Sequence, residues 1–376
     1  MAQFTLVHSD KEQEMSLNPD LIRLGSLQQI TGARSDATVD GLPQVSCVTL
    51  CHNEAMIVDQ FLDHYRALGV NQFYIVDDRS TDGTFENLQN QPDVAVFRPD
   101  QGAEFKNNVG VWRQDILDHF CDNAWVSLPD MDEFLYLREE AGTLPKFAQS
   151  MDQKDEHALM AVMIDMYADR PFTEQHYQGT SPLQDAYPFF DGQGMPPDGL
   201  RISALPQSFA NRFPTPAVCF MGGVRERHFF TPKPLSKFQR ALMSRYSSME
   251  RPLNPNRLQA WQNRITRAVT KSAFTNSPVV LNKFALLRWQ AGMKFHRGPH
   301  AIDTAVPVSE SIAALLHYKF YKGVNGFEYN AKRGQHAGGA QMYATMISRT
   351  DALAQSPMCD ITRRFDGVAS LSGIVR

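Results

Sequence analysis

No two of the five cysteines stand at CxxC spacing; Cys47, Cys51, Cys121, Cys219 and Cys359 are scattered along the chain. That excludes a zinc knuckle and a disulfide framework, and it points to a reducing compartment. The sequence opens without a basic leader and apolar core, and no stretch approaches ~18 continuous apolar residues. Neither an ordinary export signal nor a membrane-spanning helix is expected, so the expected location is cytoplasmic. Excess charge of one sign is also missing: 37 basic and 41 acidic residues give a formal net charge of -4, with no global pull toward nucleic acid. Fixed-period repeats and long low-complexity tracts are absent too.

What the chain does have is alternation. Residues 1–43 are polar, end in Asp40-Gly41-Leu42-Pro43 and read as an N-terminal arm. A core is expected over 44–232. It begins with the β-rich run Val45–Leu50, followed by Ile57, Val58, Phe61, Leu62, Tyr65 and Leu68 at helical spacing. Phe73–Val76 and Val94–Phe97 read as further strands, Asp82-Gly83-Thr84 opens a helix, and Val109, Trp112, Ile116, Leu117 and Phe120 mark another before Trp125–Leu128. This pattern predicts an α/β fold: a mostly parallel sheet with helices on both faces, plus helical C-terminal additions. Another strand is expected at Ala158–Ile164, then loops over a site. Residues 233–297 carry thirteen Lys or Arg and one acid, Glu250, with Leu258, Trp261, Ile265 and Val269 on one helical face. Such a basic amphipathic segment is expected to meet something anionic. Either a membrane surface, at its cytoplasmic face, or carboxylates of the core or of an acidic acceptor would serve. Residues 298–376 are expected to close the site.

The chemistry gathers at strand ends. Pro129-Asp130-Met131-Asp132-Glu133-Phe134 follows an apolar strand, and two carboxylates two residues apart can reach one divalent cation if the chain turns there. Such a cation can bridge the phosphates of a nucleoside diphosphate. In Asp77-Asp78-Arg79-Ser80-Thr81-Asp82-Gly83-Thr84, helix capping accounts for Ser80, Thr81 or Asp82 but not for Asp77 and Asp78. One of that pair can accept the imide N–H of a uracil ring. Cys51-His52-Asn53-Glu54 ends the first strand in the same way.

Together with His64-Tyr65-Arg66-Ala67-Leu68-Gly69-Val70, these motifs resemble the GT-A glycosyltransferases of family 2, in the branch that shares features with family 92, over residues 44–330. The resemblance implies a nucleotide-sugar site formed by His52, Asn53, Glu54, Asp77, Asp78 and Asp130, with Asp78 on the base. It also implies Mn²⁺ or Mg²⁺ bound through Asp130 and Asp132, with Glu133 in support. Arg297-Gly298-Pro299-His300-Ala301 and Leu315-Leu316-His317-Tyr318-Lys319 resemble closing segments of the same branch, which makes His300 and His317 candidates for a further metal ligand. Lys319 and Lys322 can meet the diphosphate as point charges. Met221-Gly222-Gly223-Val224-Arg225-Glu226 resembles the family's glycine pair before an acid. Glu226 is therefore the expected general base of an inverting transfer, with Asp165 and Asp303 behind it and a salt bridge to Arg225 or Arg227 as the competing role. Pro129 and the long basic stretch depart from most family members.

The expected reaction is transfer of a sugar from a nucleoside diphosphate donor, a UDP-sugar, to a hydroxyl on a glycan, lipid-linked or other acceptor. A sugar-phosphate nucleotidyltransferase would normally place a glycine-rich loop where Cys51-His52-Asn53-Glu54-Ala55 stands. A non-catalytic nucleotide- or carbohydrate-binding relative would be expected to lose a metal carboxylate, and both aspartates are present. Nucleic acid is not an expected partner, because no recognition module accompanies the basic segment.

Overall fold

The computed structural model describes residues 21–33, 41–194, 198–274, 279–296, 298–335 and 341–376. Most of the expected N-terminal arm, and Arg297, lie outside the described residues. Ten strands build the central sheet: β1 (Arg23–Leu24), β2 (Leu27–Thr31), β3 (Val45–Cys51), β4 (Gln72–Asp77), β5 (Val94–Pro99), β6 (Trp125–Ser127), β7 (Glu133–Tyr136), β8 (Ala158–Asp165), β9 (Asn282–Arg288) and β10 (Val308–His317). Their order is β1-β2-β5-β4-β3-β6-β9-β8-β10-β7. Seven strands run one way, and β2, β9 and β7 oppose them. This is the mostly parallel, Rossmann-like α/β class expected of a GT-A chain.

Three helices link the first parallel strands, α1 (Val58–Ala67), α2 (Thr84–Gln89) and α3 (Phe105–Phe120), and α4 (Leu144–Gln153) lies between β7 and β8. Helix α1 buries Val58, Phe61, Leu62 and Tyr65, one face at helical spacing, and each such side chain stabilises by about 1.5–3 kcal/mol when covered. From β3 to β4 to β5 the chain steps one way across the sheet, then returns past β3 to β6. Right-handed crossovers therefore put α1 and α2 on one face and α3 on the other. The reversal falls between β3 and β6, and in open α/β sheets the ligand crevice lies at the carboxyl ends of the strands there.

Two boundaries differ from the sequence reading. Leu27, assigned to the arm, is fully buried, and β2 pairs with β5. The basic segment also divides. Its first part forms α5 (Lys237–Tyr246) and α6 (Arg257–Thr270), each opened by a capping box. Its later part supplies β9, a central strand buried up to Leu287. Asn282-Lys283-Phe284-Ala285-Leu286 is buried on both faces, so it shows neither alternation nor helical period to mark it. After β10 come α7 (Gly323–Arg333) and α8 (Gln341–Ser348). Among the described residues no helix is long and apolar enough to cross a membrane.

Candidate functional site

The turn after β6 explains why two aspartates share one direction. Pro129 has no N–H for the ladder and ends the strand. The Glu133 N–H then donates to the Asp130 carbonyl at 3.0 Å, and Glu133 Oε2 accepts from the Asp130 N–H at 2.8 Å. Met131 is buried in the core. Asp130 and Asp132, one residue to either side, line the cavity.

Sheet register completes the cluster. His317, at the end of β10, pairs with Glu133 of β7 on one side and with Asp165 of β8 on the other. The His317 Nδ1–H donates to Asp165 Oδ1 at 2.7 Å, leaving Nε2 3.4 Å from Asp132 Oδ2. Asp165 is itself held by the Arg225 Nε–H at 2.6 Å. Ligand atoms of Asp132, Glu133 and His317 lie within 4.8 Å of one another. Two carboxylates and an imidazole fixed through its far nitrogen form a donor set that can hold a divalent cation. Burial resists protonation of His317, yet Asp132 and Asp165 outweigh it and raise its pKa. Burial pushes Asp132 the other way, and the imidazole beside it prevails, so its carboxyl is held well below the usual range.

Asp130 and His300, expected as metal ligands, are placed otherwise. Lys283, on β9, puts Nζ 2.6 Å from both Asp130 Oδ2 and Glu133 Oε2, and Arg113 Nη2 lies 3.1 Å from Asp130 Oδ1. Two resident cations thus occupy Asp130, and against the cost of burial they keep its carboxyl ionised well below the ordinary range. His300 donates Nδ1–H to the Asn282 carbonyl at 2.8 Å. Burial, then the Lys283 charge, lowers its pKa to about 4.

The loop after β3 meets the loop after β4. Asn53 adopts a left-handed backbone (φ 57°), and its Oδ1 accepts the Thr81 N–H at 2.8 Å. Asp77 is fully buried against the Arg98 Nε–H (2.9 Å) and the Ser80 N–H, away from the cavity lining. The Asp78 carboxylate, expected on the base, likewise lies outside the cavity lining, buried between Arg79 and Arg333. His52 donates Nδ1–H to the Asp78 carbonyl and has Nε2 2.7 Å from the Tyr329 hydroxyl. Lys322 donates to the Asn53 carbonyl (2.7 Å) and to Glu54 Oε1 (2.8 Å), and Tyr321 donates to the other Glu54 oxygen. The start of α7 and its far end are therefore both tied to the loops after β3 and β4.

These elements enclose a cavity of about 990 Å³, at the upper end of the range for small-molecule sites. Its lining carries seven Lys or Arg against four carboxylates, Glu54, Asp130, Asp132 and Glu133, an excess that suits an anionic ligand. Arg225 faces it with a buried Nη2 that has no hydrogen-bond partner among the described residues, a donor that an incoming oxygen would satisfy.

Glu226, the expected base, sits on a π-helical turn, Arg225–Phe229, that sends Arg225 to the cavity and Glu226 inward. Gly222, before this turn, has φ 109°, and a Cβ there would lie 2.2 Å from the Gly199 carbonyl. Glu226 binds Arg201 at two points, 2.6 and 2.9 Å, which is a structural pairing of a kind other than the expected partners Arg225 and Arg227. Asp165 lies behind His317, and Asp303 accepts the Lys294 N–H at 2.9 Å; neither lines the cavity. Replacing Glu226 by Ala strands a buried guanidinium and is expected to cost about 3–5 kcal/mol of stability, read from urea unfolding. A variant of unchanged stability but lost turnover would restore the base role. The residues missed in the sequence are Lys283, Arg113 and Arg333. A lysine inside an apolar run and an arginine beside Trp112 on the inner face of α3 were the available signals.

No family model and no curated protein matches the chain, so the likeness to family 2 rests on its motifs alone. Matches among solved structures include a protein assigned as a glucose-1-phosphate thymidylyltransferase from Bacillus anthracis, crystallised with sucrose. It is 9% identical, with a TM-score of 0.23, over 35% of this chain and 58% of that one. A likeness this shallow carries no argument about function.

Proposed function

We propose that the protein is a GT-A-type glycosyltransferase, moving a sugar from a nucleoside diphosphate donor, a UDP-sugar, to an acceptor hydroxyl. One observation carries the reading: a carboxylate–imidazole cluster and a surplus of fixed cations share one cavity at the topological switch point. Asp132 and His317, with Glu133 through the carboxylate oxygen that Lys283 does not hold, would hold Mn²⁺ or Mg²⁺, which when bound offsets charge on the departing diphosphate. Asp165 fixes the His317 ring. Lys319 and Lys322 line the cavity and supply further positive charge for the phosphates, and Arg225 Nη2 offers its open N–H to a phosphate oxygen. Lys283 and Arg113 hold Asp130 rigid, as preorganised electrostatics require. Val109, Phe105 and Phe327 add aliphatic and aromatic surface to the cavity wall.

Calorimetry of purified protein against UDP-, GDP- and dTDP-sugars, with and without Mn²⁺, tests the proposal. Tight, metal-enhanced binding of one nucleotide sugar, followed by its turnover with an acceptor, is the expected result. Binding of nucleoside triphosphate and sugar phosphate in place of a nucleotide sugar would overturn it. The Asp78–Arg333 pair has its own test. Asp78 is buried behind Arg333, which lines the cavity, so Asp78→Asn is expected to weaken donor binding about tenfold by releasing that guanidinium from its fixed position. It should also lower the melting temperature, since the carboxylate lies between Arg79 and Arg333. An unchanged donor Kd would remove the Asp78–Arg333 pair from the donor site.

A further inference from the structure

Helix α6 is built with its polarity reversed. Its buried residues are Asn263, Thr266 and Thr270, and this inner side packs on the strand Arg201–Ala204. The two threonine hydroxyls donate back to the carbonyls of Gln262 and Thr266, at 2.9 and 2.7 Å, so their burial leaves no donor unmet. Facing out instead are Leu258 and Trp261, 61% and 58% exposed, with Val269 further along the same side. On the neighbouring helix α5, Phe238 is 67% exposed. The same two helices, with the residue after α6, carry the exposed cations Lys237, Arg240, Arg245, Arg257, Arg264 and Lys271. The only acid between residues 233 and 274 is Glu250.

An outward row of large apolar side chains goes uncompensated in water, whereas an ordinary surface helix turns that row inward. The sequence alone allows this row to pack on the core; Leu258 and Trp261, more than half exposed, do not take that role, while Ile265 further along the helix is half-buried. We propose that the α5–α6 face docks on an anionic membrane surface, with the basic side chains at the headgroups and Phe238, Leu258 and Trp261 in the headgroup–acyl boundary. A second copy of the chain is a poor occupant, because a symmetric contact would set these cations against one another. A nucleic acid backbone would satisfy the charges but leave Leu258 and Val269 uncovered. The segment leaves the core at Phe230–Thr231 and re-enters it at Val279–Val280, and all four residues line the cavity. The inference does not depend on sugar transfer.

The protein carries its own reporter. Trp112, Trp125 and Trp289 are buried and Trp261 is exposed. Full-length protein is mixed at low salt with phosphatidylcholine vesicles, or with vesicles in which one lipid in three is phosphatidylglycerol. Co-sedimentation with the anionic vesicles alone is expected, reversed by high salt. A blue shift of Trp emission and quenching by acyl-chain-brominated lipid should accompany it. Trp261→Phe should still sediment while losing the shift. Phe238→Asp with Leu258→Asp should weaken binding at least about tenfold at unchanged melting temperature. Absence of sedimentation at low salt, or sedimentation with no change in Trp261 emission, would overturn the proposal. So would an equal blue shift produced without lipid, either by raising protein concentration or by adding nucleic acid.

Discussion

Replacing Asp132 by Ala is expected to reduce transfer by about 10³-fold or more, the scale on which removal of a charge-stabilising group acts in a water-excluded site. The fold should survive, because the Asp132 contribution to the sheet is its backbone carbonyl, which accepts the Tyr318 N–H at 2.9 Å. Its side chain serves the cluster alone, 3.4 Å from His317 Nε2. Mn²⁺ binding followed by paramagnetic resonance should fall with activity, and nucleoside diphosphate affinity should become independent of metal. Asp130→Asn is the matched control: with Lys283 and Arg113 on its two oxygens, it should leave Mn²⁺ affinity nearly unchanged. If Asp130→Asn and Asp132→Ala lose metal equally, the assignment of Asp130 to internal cations fails.

Lys283→Met is expected to cost about 3–5 kcal/mol of stability, the penalty for leaving a buried charge without its partner. Lys283 and Glu133 are both buried, and the single ammonium holds two carboxylates 2.6 Å away. Without it, Asp130 and Glu133 repel across the turn that presents Asp132, so transfer should be lost as well. Added Mn²⁺ should restore part of the stability, since two uncompensated carboxylates beside Asp132 make a better cation site than the native one. Urea unfolding with and without Mn²⁺ measures both effects. A Lys283→Met protein as stable as the parent would show that the ammonium is dispensable.

The strands and helices from Val45 to Ser127 follow from local pattern, because in βα repeats each apolar run and each helical face is specified by nearby residues, whereas β1, β2 and β7 carry no such signal. The strand-end motifs followed from the same logic, and the structure brings Asp132 and His317 together although 185 positions separate them. What local pattern does not carry is partner choice. Nothing in Asp130-Met131-Asp132 distinguishes a metal from a lysine as the counter-ion; that depends on β9 lying beside β6 and β8, a pairing made over more than 100 residues. Glu226 fails for the same reason. Its neighbours in sequence, Arg225 and Arg227, were the visible candidates, whereas the π turn rotates it onto Arg201.

The ties between α7 and the loops after β3 and β4 join residues 255 to 277 positions apart. In a growing chain the first six strands can pair well before residue 317 exists, yet neither the imidazole of the cluster nor the clasp on Asp78 is then available. Binding competence thus arrives after the sheet has begun to form, as a late and cooperative event, and contacts of such long sequence separation are slow to close. A nascent chain that ends short of residue 317 therefore carries the first strands and their loops without the imidazole and the clasp that complete the cavity.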